Sequence, residues 1–152
     1  MLITLVLAVL LQAAPPQAPP PQTVVVGLDD GMKVTFDAPD FSGFIDGHSM
    51  DAVLLYREKR FHGEMPLKTI SRIDFGPYKK GKPFQLKVTL HSGDELNVET
   101  ERRDFVTIRG KTDLGTVIIK HPDPISAPLK LSDGKPNRKK SLTIQYLEFS
   151  AQ

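Results

Sequence analysis

The segment Gln85-Leu86-Lys87-Val88-Thr89-Leu90 decides the fold, because polar and apolar side chains alternate along it without interruption. Successive side chains of a β-strand point to opposite faces of a sheet, so the apolar residues share one face and the polar residues share the other. This pattern is typical of an antiparallel strand with one face in the core and one in solvent. The segment therefore predicts a half-buried β-strand.

The rest of the chain from Thr23 onward follows the same rule. Short runs rich in Val, Ile, Leu, Phe and Thr are separated by Gly, Asp, Asn and Pro, and Asp29-Asp30-Gly31 is a hairpin signal. Residues 50–60 also fit a helix with Ser49 as N-cap, but the continuous apolar run from Val53 to Tyr56 favours a strand. The predicted strands are residues 24–28, 32–36, 52–57, 61–67, 70–75, 84–91, 95–100, 105–109, 115–120 and 142–149.

These strands predict an all-β, antiparallel fold, either a small barrel or a sandwich. Similar sequences in the two halves, 23–78 and 84–150, suggest two tandem SH3-like β-meander repeats. Met32-Lys33-Val34-Thr35-Phe36 resembles residues 86–90, and the two halves finish on Ile70-Ser71-Arg72-Ile73-Asp74-Phe75 and Ile144-Gln145-Tyr146-Leu147-Glu148-Phe149. Any pair of alternating strands gives matches of this kind, so duplication and coincidence both stay open.

One spacing pattern also resembles a known group of proteins. A strand, Gly93-Asp94, a second strand and then Phe-x-x-Ile-x-Gly-x4-Gly-x3-Ile over residues 105–119 precede the closing Ile-x-x-Leu-x-Phe of residues 144–149. This order is similar to small exported bacterial β-repeat proteins of unassigned function, whose strand arrangement resembles SH3-like barrels. The resemblance implies a fold class and an exported protein, and it implies no catalytic residues.

The amino terminus indicates export. Residues 2–11 are apolar apart from Thr4, which is too short a run to cross a bilayer of roughly 30 Å but matches the core of a secretory signal peptide. We therefore expect residues 1–14 to be a signal peptide, residues 15–22 a proline-rich spacer and residues 23–152 the folded domain, located in the periplasm or secreted. An uncleaved membrane anchor is the alternative, because no Lys or Arg precedes the run and Pro15 follows Ala14.

The composition excludes several classes of function. The chain of 152 residues has no cysteine, so disulfides, a thioether-linked lipid and thiolate metal sites are excluded. Its four histidines, including His121, show no metal-ligand spacing, and residues 37–51 lack the regular spacing of a calcium loop. We therefore expect no metal and no cofactor.

Two segments resemble parts of hydrolase active sites. Gly47-His48-Ser49-Met50-Asp51 matches the nucleophile elbow Gly-x-Ser-x-Gly except for its last glycine, and Asp29-Asp30-Gly31 loosely matches the Asp-Thr-Gly loop of aspartic proteases. The elbow needs a buried strand before it, and a second acid beside Asp29 disturbs a shared-proton pair. Ordinary turns are the preferred interpretation of both segments. A small hydrolase at Ser49 or Asp29 is the unlikely alternative.

Clustered cations give the remaining functional hint. The net charge is only +2, yet two short segments are strongly basic. They could bind one acidic polymer through salt-sensitive contacts, although tryptophan is absent and no specific signal for nucleic-acid binding is present. The preferred prediction is an exported, non-catalytic β-module that acts in binding or as part of an envelope or extracellular assembly, with strand addition at an open sheet edge as one mode of binding. The candidate polyanion-binding residues are Lys79, Lys80, Lys82, Lys135, Arg138, Lys139 and Lys140.

Overall fold

The computed structural model describes residues 23–48, 51–77, 79, 81–101, 106–120 and 143–150. These residues form eleven β-strands and one 3-10 turn, with no α-helix among them, so the predicted antiparallel all-β class is confirmed. The elements are β1 (Thr23–Leu28), β2 (Lys33–Ser42), β3 (Ile45–His48), β4 (Val53–Glu58), β5 (Phe61–Pro66), the 3-10 turn η1 (Leu67–Thr69), β6 (Ile70–Phe75), β7 (Gln85–Leu90), β8 (Glu95–Thr100), β9 (Thr107–Thr112), β10 (Gly115–Lys120) and β11 (Ile144–Phe149).

Eight strands close into an antiparallel barrel. They follow one another in the order β1-β11-β6-β7-β8-β4-β3-β2, and β2 pairs with β1 to complete the ring. The other three strands lie outside the ring, since β5 pairs with β4 and the hairpin β9–β10 extends from β2. Within the described residues, β5 and β10 are therefore the strands that have a single neighbouring strand.

The alternation in β7 places its side chains as the sequence predicts. Leu86 and Val88 are 3% and 0% exposed, whereas Gln85 and Lys87 are exposed to solvent. The pattern weakens at the end of the strand, where Thr89 and Leu90 are both half-buried. Strand β7 therefore supplies one layer of the barrel core with Leu86 and Val88.

Three phenylalanines fill one part of this core. The ring centroid of Phe44 lies 5.7 Å from that of Phe75 and 5.6 Å from that of Phe84, and Phe75 meets Phe84 edge-on at 6.2 Å. Beside them Thr100 is fully buried, and its Oγ1 accepts a hydrogen bond from the backbone N–H of Phe84 at 2.9 Å. This bond holds the entry to β7 against the end of β8.

The structure differs from the sequence prediction in the region after Phe36. Strand β2 continues to Ser42, past Pro39, because the ladder with β9 shifts register between Asp37 and Asp40 and Ala38 adopts a positive φ of 42°. This bulge accommodates a proline that would otherwise remove a ladder hydrogen bond. The short strand β3 was not predicted at all, since only Ile45 of its four residues is buried.

Two other expectations concern the first half of the chain. Residues 53–58 form β4, which confirms the preference for a strand over a helix there. The two similar closing segments are β6 and β11, which lie side by side and antiparallel with Ile73 opposite Leu147. Strands from both halves join one continuous sheet, and the internal repeat itself stays a prediction.

Candidate binding edges of the sheet

The predicted polyanion site is described only in part. Lys79 and Lys82 are exposed at the two ends of a tight turn between β6 and β7, in which the N–H of Lys82 donates to the carbonyl of Lys79 at 3.0 Å. Both side chains are therefore available to solvent at one end of the barrel. The remaining candidates lie outside the described residues; they are Lys80, Lys135, Arg138, Lys139 and Lys140.

The two hydrolase-like segments are placed as follows. Asp29 is exposed in the turn between β1 and β2, where its carboxylate accepts a hydrogen bond from Thr143 Oγ1 at 3.3 Å. The N–H of Gly31 donates to the carbonyl of Leu28 at 3.0 Å, which confirms the predicted hairpin turn. Ser49 lies outside the described residues, so the hydrolase alternative stays a prediction.

Two of the four histidines contact carboxylates on the surface. His48 Nδ1 contacts Asp40 Oδ1, and His62 Nδ1 lies 3.3 Å from Glu101 Oε1. These contacts are solvent-exposed and hence screened. In the part of the chain that the structure describes, no group of three or more His, Asp or Glu residues is arranged to hold a metal ion.

The outer face of the barrel carries paired charges and an aromatic ring. The guanidinium of Arg72 lies 3.9 Å from the ring centroid of Tyr146 and donates to Asp74 at 2.9 Å. The hydrogen bond to Asp74 raises the pKa of Arg72 above its usual value. On the neighbouring strands, hydrogen bonds from Arg57 and then Gln85 lower the pKa of Glu99. Because these charged groups already have partners, they do not form an unpaired cluster for a ligand.

The strands outside the ring carry the exposed apolar side chains. Phe61, at the start of β5, is 75% exposed, and Leu114, in the turn between β9 and β10, is 61% exposed. They are the large hydrophobic side chains that stand out as exposed among the described residues. The β4–β5 and β9–β10 hairpins therefore each present an apolar side chain near the tip.

The register of the β9–β10 hairpin decides which backbone groups of β10 face away from β9. Thr112 and Gly115 flank a two-residue turn and lie opposite each other. Such a closing pair exchanges both N–H···O bonds, and hydrogen-bonded pairs then alternate with non-hydrogen-bonded pairs along the ladder. Val117 and Ile119 therefore direct their backbone groups to β9. The residues whose N–H and C=O groups point outward are Thr116, Ile118 and Lys120.

The side chains of β10 make its edge unusual. Val117 and Ile119 are 0% and 1% exposed and belong to the core, while Ile118 is half-buried on the opposite face. The strand has no proline, no bulge against β9 and a single charge, at Lys120. Natural proteins usually protect edge strands with prolines, bulges and several charges. Strand β10 is therefore an edge with little protection against pairing.

The same derivation gives a different result for β5. Glu58 and Phe61 form the closing pair of the β4–β5 hairpin, so the outward-facing positions of β5 are His62, Glu64 and Pro66. Pro66 has no N–H to donate, and Glu64 places a charge in the middle of the edge. Strand β5 therefore has a proline, which β10 lacks, and its charge lies in the middle of the edge, whereas the charge of β10, Lys120, lies at the end.

Comparison of the chain with protein-family models, with curated proteins and with solved structures gives no match. None of the described segments forms a helix that is both long and apolar enough to span a membrane.

The sequence predicts β10 as a strand, but no local pattern in it marks β10 as an edge. The continuous apolar run Val117-Ile118-Ile119 is typical of a strand that is buried on both faces. In the structure that run lies at the end of the sheet with Ile118 half-buried. The sequence signal available for β10 is a short hairpin turn followed by an apolar run that ends at a single lysine, Lys120.

Proposed function

We propose that this chain is an exported, non-catalytic β-barrel module that binds an extended partner segment along the open edge of β10. The observation that carries the proposal is the outward-facing row of backbone groups on Thr116, Ile118 and Lys120. A partner strand added there forms main-chain hydrogen bonds, which supply affinity, while alternate side-chain positions supply specificity. Such a module contributes to an envelope or extracellular assembly without catalysing a reaction.

The side chains around this edge support the proposal. Ile118 is half-buried and Leu114 is exposed, so an added strand covers apolar surface on the face that Val117 and Ile119 do not occupy. Burial of apolar area contributes roughly 25 cal/mol per Å², in addition to the backbone bonds. An extended peptide with β-branched residues and no proline is the partner that fits this edge best.

A peptide selection tests the binding edge. A phage-displayed library of extended peptides is selected on the purified protein, and the recovered peptides are assayed against Ile118→Pro and Glu64→Pro. Each change removes one outward-facing N–H, from β10 and from β5 respectively. We expect peptides to lose about tenfold or more in affinity for Ile118→Pro and to keep their affinity for Glu64→Pro.

Thr116→Pro repeats the test at the next outward-facing position, and circular dichroism checks that each variant keeps its β structure. Equal affinity for the wild type and for both β10 variants would contradict the proposal. So would a selection that enriches no peptide on protein that sedimentation velocity shows to be monomeric.

Export is tested by mass spectrometry of the protein recovered from an extracytoplasmic fraction. If residues 1–14 are removed as a signal peptide, the mature chain starts between Pro15 and Thr23. An extracytoplasmic chain that retains Met1 would indicate an uncleaved anchor. Recovery of the full-length chain in the cytoplasm would exclude export.

Polyanion binding is a second candidate function, favoured by the position of one basic turn. Tyr146 lies opposite Asp74 in the antiparallel pair β11–β6, so Thr143 and Gly76 are at the same end of the barrel. The turn with Lys79 and Lys82 follows Gly76 closely, and residues 135–140 precede Thr143 in the sequence. The turn with Lys79 and Lys82 is therefore at the same end of the barrel as Thr143, the residue to which the second basic segment leads in the sequence.

Heparin chromatography at increasing salt tests this second function. The double variant Lys79→Gln, Lys82→Gln should elute at lower salt than the wild type, because the number of ion contacts sets the salt dependence. Lys33→Gln, in β2, is the control for a lost surface charge. Adding Lys139→Gln and Lys140→Gln to the double variant should change elution little if the two segments hold one ligand jointly. Small, additive shifts would show that the segments act independently.

A further inference from the structure

We propose that the partner of β10 is a second copy of this chain, with the two β10 strands paired antiparallel and Ile118 opposite Ile118 of the second copy. This proposal rests on the proposed function, because it names the occupant of the same edge. A two-fold axis perpendicular to the sheet then relates the copies, and the sheet continues from one protomer into the other.

The backbone restricts the register. Outward-facing groups occur at every second residue of β10, so two copies form hydrogen bonds only when even-numbered residues oppose even-numbered residues. If Ile118 opposes its own counterpart, Thr116 opposes Lys120 in both directions and all the outward-facing residues of both strands are used. Shifting the centre to Val117 or Ile119 leaves one outward-facing pair outside β10, in the turn or beyond residue 120. The register centred on Ile118 is therefore the one with the most backbone bonds.

The charges of β10 are compatible with this register. Lys120 is the single charged residue of the strand, and it lies opposite Thr116 of the second copy. The two lysines are then four residues apart along the strands, or about 14 Å at 3.4 Å per residue. That separation exceeds the screening length of about 10 Å at 0.1 M salt, so repulsion between these two lysines is weak.

The next strands also suit a second copy. Arg109 lies opposite Ile118 on β9, and Asp40 of β2 lies opposite Arg109. Lys111 of β9 likewise lies opposite Asp37 of β2. Arg109 and Lys111 of β9 therefore each have an acidic residue opposite them on β2, whereas Lys120 lies opposite Thr107. The side chain in the centre of the pair is uncharged Ile118, which packs against its counterpart.

Pairing even-numbered residues with even-numbered residues also places the apolar faces of the two β10 strands on the same side of the sheet. Residues directly opposite each other in a sheet point to the same face, so Val117 of one copy lies beside Ile119 of the other. Both are buried on the core side within one protomer. An odd register would place Val117 beside Ile118 and so interrupt the face. Backbone bonding and side-chain burial thus favour the same pairing.

A single cysteine tests this register, because the wild-type chain has none. In a hydrogen-bonded antiparallel pair the Cα atoms are about 5.5 Å apart, within the range of about 4.4–6.8 Å that a disulfide spans. We expect Ile118→Cys in the full chain to form a covalent dimer under mild oxidation. Thr116→Cys is the control, since its counterpart lies about 14 Å away in this register.

Mixing Thr116→Cys with Lys120→Cys should yield a covalent heterodimer, while each alone stays monomeric on a non-reducing gel. A second variant, Ile118→Lys, should weaken dimerisation about tenfold or more in sedimentation velocity, and adding Ile118→Glu protein should restore it through a mixed pair.

The outcomes separate the two proposals. Cross-linking at residue 118 and not at residue 116 supports self-pairing. Cross-linking at 116 alone, at both positions equally or at neither overturns it. If self-pairing fails while selected peptides still lose affinity for Ile118→Pro, the occupant is a different chain and the binding edge stands. If the peptide selection also fails, the proposed function fails with it.

Discussion

Strands β5 and β10 occupy equivalent positions in the sheet, yet their edges differ. Each follows its neighbour through a two-residue turn and has one neighbouring strand within the described residues. The outward-facing backbone of β5 includes Pro66, which cannot donate, and the charged Glu64. The outward-facing backbone of β10 includes Ile118, and every outward-facing residue of β10 has an N–H to donate. Position in the sheet alone therefore does not make an edge a binding site.

The same comparison shows how the two strands are held to the protein. Strand β10 anchors itself with two fully buried side chains, whereas in β5 the buried residue is Met65, which is 9% exposed. An edge that is firmly anchored and poorly protected suits binding, because it stays formed without a partner. An edge that is loosely anchored and well protected suits a boundary of the fold.

The largest effect is expected for the anchor of β10. Ile119→Ala should lower the free energy of unfolding by about 2–5 kcal/mol, because it removes a fully buried side chain and leaves a cavity. Ile118→Ala is the matched control in the same strand and should cost under about 1.5 kcal/mol, since Ile118 is half-buried. Urea denaturation at pH 7 measures both. Equal losses would mean that β10 does not have one core face and one outer face.

A moderate effect is expected where β5 contacts β4. A Cβ added at Gly63 would lie 2.6 Å from Cζ of the Tyr56 ring, which covers the glycine from the opposite strand. Gly63→Ala should therefore destabilise the protein by about 1–3 kcal/mol, as overpacking does.

The double variant Tyr56→Ala, Gly63→Ala separates this clash from other causes. In the Tyr56→Ala background, Gly63→Ala should cost close to nothing, because alanine suits a strand at least as well as glycine does. Thermal unfolding of the four proteins in the cycle provides the coupling energy. If Gly63→Ala costs the same in both backgrounds, the tyrosine is not what requires glycine there.

The smallest effect concerns the attachment of β4, the strand that holds β5. The hydrogen bond from Arg57 to Glu99, at 2.6 Å, joins β4 to β8 and lowers the pKa of Glu99. A carboxyl whose folded-state pKa is lowered stabilises the fold above its unfolded pKa of about 4.3, and this contribution is lost as pH falls through the folded value. Because the Glu99 side chain is 37% exposed, the contribution should stay below about 1 kcal/mol.

Arg57→Gln should therefore reduce the loss of stability between neutral pH and pH 3, as followed by urea denaturation at several pH values. Lys33→Gln removes the same charge from the surface without touching Glu99 and should leave the pH profile as it is. A profile that Arg57→Gln does not change would show that the ion pair is fully screened.

The sequence predicts strands well wherever side chains alternate, and poorly where the backbone departs from the ladder. Strands β6, β8 and β10 occupy the predicted ranges. The end of β2 was missed because Pro39 normally ends a strand, and its bulge depends on pairing with β9, about 70 residues later. Strand β3 was missed because Gly47, next to Asp46, also fits a turn.

The candidate binding edge required information that no local pattern contains. The pairing of Thr112 with Gly115 determines which residues of β10 direct their backbone groups outward. That pairing is local in the sequence. The order of all eleven strands shows that no described strand covers the edge of β10 that faces away from β9. The sequence therefore predicts the strand and its hairpin, while the free edge is a property of the whole sheet.

The position of β11 has a consequence for how the protein reaches its folded state. Although it comes last among the described strands, β11 lies between β1 and β6, and the N–H of Thr23 donates to Ser150 Oγ across 127 positions. A chain that emerges amino terminus first therefore cannot complete the barrel until residues 144–149 have emerged. Until then β1 and β6 each lack a neighbour, and contacts of such long range form slowly. Completion of the barrel therefore waits for residues 144–149, and a chaperone that covers exposed strands would be needed most before they emerge.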